Sequence, residues 1–154
     1  MMIRVKPMYC ANNFIKASFD CNRDISPMKL QKLLYLLYAR ILNKTNFSIF
    51  PDRFEKWEYG PVLSNIYMEF KKYKGNPITW FACDLDGEVR IADENNIAFK
   101  EYFDEVWGRF GTLNGMELSV LTHQSESAWS KVGRLGEFLK EEDIKIDGET
   151  LFQC

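Results

Sequence analysis

The chain predicts a mainly α fold: a compact single-domain helical bundle around a central apolar helix at residues 27–43, with a small β-hairpin at about residues 80–92. Two patterns carry this. Leu30, Leu33, Leu34, Leu37 and Ile41 repeat at helical spacing, and Tyr35, Leu36 and Tyr38 add a second apolar side. A helix apolar over most of its circumference is one covered by neighbours. Asp86-Gly87 between two short runs is a hairpin signal. With 154 residues, 46% hydrophobic and 27% charged, the chain has the size and composition for one domain, spanning residues 1–154, with a sizeable core.

The elements follow in order. Residues 12–20 read as a first short helix with Phe14 and Ile15 on its apolar side. Ser26-Pro27 is an N-cap followed by proline at the first helical position, where its missing N–H costs nothing. After the central helix comes a polar loop at 43–52, then a short aromatic stretch at 53–59 that could be extended. Gly60-Pro61 reads as a turn, with a third helix from Pro61 to about residue 73 burying Val62, Leu63, Ile66, Tyr67 and Phe70. Residues 96–110 form a fourth helix, stopped by Gly111, and 115–122 a fifth. Residues 127–139 offer a sixth, weakened by Gly133 and Gly136, and the acidic tail from Glu141 has room for a final turn or two.

A net charge of −2 argues against a dedicated DNA-binding domain, which needs a basic excess to displace counterions. The basic cluster Lys71, Lys72, Lys74 reads as a solvated helix end rather than a nucleic-acid contact. The longest apolar run, 33–39, is far short of the roughly 20 residues of a membrane span. No secretory signal is visible, so a cytoplasmic protein with reduced cysteines is expected. Cys10, Cys21, Cys83 and Cys154 form no close pair, and with one histidine they assemble no zinc set. No metal or cofactor is expected.

Three segments stand out. Lys29-Leu-Gln-Lys-Leu-Leu-Tyr35 sets Lys29, Gln31 and Lys32 into an apolar helix. Gln31 could satisfy a buried backbone group, or the three could rim a partner groove. Trp57, Tyr59, Gly60 and Pro61 could form a rigid aromatic ledge for a partner, or simply a packed corner. Leu121-Thr-His123 ends a helix on the only histidine. His123 could be a general base beside Thr122, Ser125 or Glu126. Neighbours in sequence rarely make a working triad, however, and a histidine at a helix C-terminus also suits the dipole. No catalytic residues are assigned, and the chain is not expected to be an enzyme.

Taken in order, Lys29 to Tyr35, Phe54-Glu-Lys-Trp57, Tyr59-Gly-Pro-Val62, Leu121-Thr-His123 and Trp129 resemble the Panacea domain. This is the family of SocA-like antitoxins and phage-associated GepA-like proteins. The resemblance covers about residues 11–152. It implies a cytoplasmic bacterial or phage protein that neutralises a protein toxin encoded nearby, with some members delivering the toxin to a Clp protease. Ala128 stands where the family has proline before the tryptophan, and the chain has no room for an added DNA-binding domain. A phage or mobile-element effector acting on a host protein is the alternative, and a homo-oligomer stays open.

Overall fold

A computed structural model describes residues 2–92 and 95–153. It is mainly α, as expected. The helices are α1 (Pro7–Cys21), α2 (Pro27–Thr45), α3 (Ser64–Phe70), α4 (Ile97–Phe110), α5 (Gly115–Thr122) and α6 (Glu141–Thr150). A hairpin of β1 (Glu55–Trp57) and β2 (Gly60–Val62) lies between α2 and α3, and α3 ends in a tight turn, Lys71–Tyr73.

The axis of the fold is α2. The Ser26 hydroxyl accepts the Lys29 N–H at 3.2 Å and Pro27 opens the first turn. Asn46 closes the helix in the left-handed conformation. Leu30, Leu33, Leu34, Leu36 and Leu37 are wholly buried, because the other five helices and β2 all pack against α2. Each such side chain withdrawn from water is worth about 1.5–3 kcal/mol.

The hairpin is present but displaced from the sequence expectation. It sits at Glu55–Val62, with Glu55 opposite Val62 and Trp57 opposite Gly60. Residues 80–92 form no strands. Gly87 turns there with φ +83°, and the Asp84 N–H donates to the Glu88 carbonyl at 2.9 Å. The Gly87 N–H closes the turn on the Asp84 carbonyl at 2.8 Å, and outside the turn the flanking backbone pairs with α1. The Asn12 amide takes the Ala82 N–H and gives to the carbonyls of Ala82 and Arg90, at 2.8–2.9 Å. Asn13 takes the Ala92 N–H at 2.9 Å and returns a bond to its carbonyl at 3.4 Å. Two helix asparagines thus stand in for a strand ladder.

Three further expectations change. Pro61 does not start a helix; it lies inside β2, and α3 begins at Ser64. The helix expected at 127–139 is absent. That segment is drawn onto the free side of β1 instead: Lys56 N–H donates to Glu137 at 2.8 Å, Gly136 N–H to Lys56 at 2.7 Å and Leu139 N–H to Phe54 at 2.8 Å. The acidic tail forms a full helix, α6, which packs along α2 through buried Ile144, Asp147 and Gly148. The Tyr35 hydroxyl donates to Asp147 at 2.5 Å, and the Ala128 N–H lies 3.2 Å from the same carboxylate. Burial nevertheless pushes the Asp147 carboxyl above its ordinary range.

Candidate partner-binding site

The three sequence segments meet at the β1–β2 hairpin. From α2, the Gln31 side chain brackets one residue: it donates to the Leu63 carbonyl at 3.0 Å and accepts the Leu63 N–H at 2.9 Å. That satisfies both backbone groups just past β2, where the described residues supply no third strand. One residue on, the buried Lys32 ammonium donates to the Pro61 carbonyl at 3.0 Å. The placement of Pro61 explains this geometry. Its partner Lys56 turns its own N–H and carbonyl toward 136–137, so Lys56 and Pro61 do not bond to each other. The missing proline N–H therefore costs no ladder bond, and the proline carbonyl faces Lys32.

Lys32 is 1% exposed, and among the described residues it has no ion pair. Burial lowers its pKa to about 7. Lys29 belongs elsewhere. It reaches the Gly111 carbonyl at 2.6 Å and the face of Trp107 at 5.7 Å, and burial lowers its pKa as well.

From the other side, α5 closes on the hairpin. The Ser119 hydroxyl donates to the Tyr59 carbonyl at 2.5 Å, and Thr122 lies beside Gly60. His123 caps α5, with Nδ1 against the Ser119 carbonyl and its ring edge-on to Trp129 at 5.2 Å. The Trp129 indole N–H donates to the Trp57 carbonyl at 2.6 Å, and the Lys56 ammonium sits over its ring at 4.1 Å. His123 and Trp129 therefore hold the hairpin's flank, while Trp57 and Tyr59 face outward.

The outward side is a cavity of about 350 Å³ between the start of α2, the hairpin turn and α3. Met28, Gln31, Lys32, Trp57, Tyr59 and Tyr67 line it, with Phe70 behind. The rings of Trp57 and Tyr67 lie 4.8 Å apart. Tyr59 is half exposed and Tyr67 is 40% exposed, so Tyr67 is not part of the buried face the sequence suggested. Met68 on α3, and Met116 and Val120 on α5, are also exposed. Sequence reading missed Met28, Tyr67 and Ser119 as residues of this site. The only signal for Tyr67 was its place one residue after Ile66 and three before Phe70, which puts it at the edge of the helix's apolar stripe.

Among the described residues no group of three His, Cys, Asp or Glu side chains could hold a metal ion. No helix of the described residues is long and apolar enough to cross a membrane. No curated protein and no solved structure matches the chain significantly. The family model described as antitoxin SocA-like, Panacea domain, matches residues 30–130, which holds the motifs of α2, the hairpin, α5 and Trp129. The match covers well over half of the sequence, and the chain belongs to the SocA-like antitoxin family.

Proposed function

We propose that this protein neutralises a toxin, encoded beside it and produced in the same cytoplasm, by direct contact through the aromatic surface around the hairpin. Its family supports an antitoxin-type role and, with it, a toxin partner in general terms. The observation that carries the finer reading is the exposure of Tyr59 and Tyr67 at the rim of a cavity built on the family's own segments. Tyrosine and tryptophan supply large contact area at low entropic cost, and a few such anchors carry most of an interface's free energy. The hydrogen bonds behind them fix the ledge before any partner arrives, which lowers the ordering cost of binding.

Co-expression and co-purification with the neighbouring gene product test the reading. A toxic product rescued by this chain and recovered in complex with it is expected. Tyr59→Ala with Tyr67→Ala should weaken the complex by on the order of a hundredfold while the fold persists. A neighbouring product that is harmless alone and forms no complex overturns the proposal, and favours an effector acting on a host protein. The same reading extends to delivery of bound toxin to a Clp-type protease. A toxin that stays equally long-lived in the complex with and without that protease removes the extension.

A further inference from the structure

The cavity beside the hairpin is lined in part by Lys32, a buried amine. Lys32 has three N–H donors when protonated, and the Pro61 carbonyl accepts one of them. Burial has taken it out of water, and among the described residues no carboxylate pairs with it. Glu58 and Lys74 stand at the mouth of the cavity, both exposed, and the remaining titratable groups lining it are the phenols of Tyr59 and Tyr67. A buried ammonium lacking a counter-charge is costly alone and strongly receptive to an anion. The walls above it are methylene and aromatic surface from Met28, Trp57 and Phe70. Gln31, the one amide of the lining, has its carbonyl and its amino group both committed to Leu63.

We propose that the cavity receives an acidic side chain of the protein partner, its methylenes against the aromatic wall and its carboxylate on the Lys32 ammonium. The shape of the polar lining selects a side chain over a main-chain end. A chain terminus would bring its own backbone N–H and carbonyl into a cavity whose amide is already used, leaving them unpaired. A glutamate or aspartate side chain brings only acceptors, which is what Lys32 lacks. The lowered pKa of Lys32 fits the same account: an unpaired buried amine gives up its proton easily, and an arriving carboxylate restores it. This inference rests on the proposed partner-binding role of the same surface.

The full chain, carrying isotope-labelled lysine, is titrated with N-acetyl-glutamate N-methylamide and separately with the matching glutamine compound. Nuclear magnetic resonance follows the Lys32 side chain and the Trp57 indole. The acid is expected to bind about tenfold or more tightly than the amide, the margin of a charge-assisted bond over a neutral one. The Lys32 titration should move upward by about one unit or more on saturation with the acid. In Lys32→Met the preference for acid over amide should vanish. Equal binding of the two compounds, or an unmoved Lys32 titration at saturating acid, overturns the proposal. The second readout needs no variant, so a poorly folding Lys32→Met leaves the test intact. A peptide ending in a free carboxylate that outcompetes the acid side chain also overturns it, in favour of a chain end. If the toxin binds Lys32→Met as tightly as the parent yet fails on the Tyr59 and Tyr67 variants, this inference alone falls. If no toxin binds at all, the earlier reading falls, while the titration result stands on its own.

Discussion

Gly60 holds the hairpin in a conformation that no other residue adopts comfortably. Its φ is +121°, and a Cβ built there would lie 2.9 Å from Lys32 Cε and 3.1 Å from Thr122 Oγ1. The backbone needs glycine and the Lys32 side chain needs the space that glycine leaves. The two requirements can be separated. Gly87 also has positive φ, at +83°, but nothing lies within 4 Å of its added Cβ. Gly87→Ala therefore measures backbone strain alone, about 1–3 kcal/mol. Gly60→Ala should cost more, because it also displaces a buried amine from the Pro61 carbonyl. Urea denaturation of both variants checks this. Equal losses would mean that Lys32 moves aside freely and that its seat on the hairpin is loose.

At the scale of elements, α6 shows how much the sequence could and could not reveal. Its first turn is Glu141, Glu142 and Asp143, and its contact with α2 runs through Ile144, Asp147 and Gly148. The backbone of α2 passes so close that an added Cβ on Gly148 would overlap the Ala39 carbonyl. Gly148→Ala should push the two helices apart and cost about 1–3 kcal/mol or more. Gly133→Ala, with open space around it, should change little. A thermal or denaturant midpoint for each variant settles the comparison, and a harmless Gly148→Ala would refute the close packing. This docking face combines a glycine, a carboxylate and one isoleucine, so hydrophobic periodicity could not see it. The central helix was legible because its packing is apolar on nearly every side. The hairpin was misplaced for a related reason. Asp86-Gly87 does turn the chain, but Asn12 and Asn13 on α1 take the backbone groups that a second strand would have used. Trp57, Tyr59, Gly60 and Pro61 were recognised as one corner, while the pairing that makes it a hairpin depends on Lys56 and on 136–139, far along the chain. The site's residue types were thus readable. The meeting of α2, the hairpin and α3 at one cavity was not, since it comes from long-range packing around α2.

For the whole molecule, buried ionisable groups set the response to pH, and their signs can be followed one by one. Lys32 gives up its proton near pH 7 in the folded protein, against 10.5 when exposed. Between these values the unfolded chain binds more protons, so stability climbs with pH, by at most about 1.4 kcal/mol per unit. Burial lowers the Lys29 pKa too, which adds in the same direction. The core thiol of Cys10 acts oppositely. Burial pushes it up to about 12 from 9, so above pH 9 the unfolded chain sheds a proton that the fold retains, and stability falls. Tyr35, raised by burial and by the Asp147 carboxylate, continues the decline at higher pH. Asp147 belongs to the acid side. Its raised pKa means that stability present when it is protonated is lost as pH rises through that value. The stability maximum is therefore expected near pH 9, later than the pH 5–8 usual for folded proteins, with a gain of about 2 kcal/mol between pH 7 and 9. Lys32→Met should remove most of that rise, with Lys29 supplying what remains, and keep the decline above pH 9. Urea denaturation at unit steps from pH 6 to 11, for parent and variant, gives the answer. A parent profile flat from 7 to 9 would place Lys32 in water or beside a hidden counter-charge. A rise that Lys32→Met abolishes would make the amine's burial a cost of the free protein at neutral pH, which a partner carboxylate is placed to relieve.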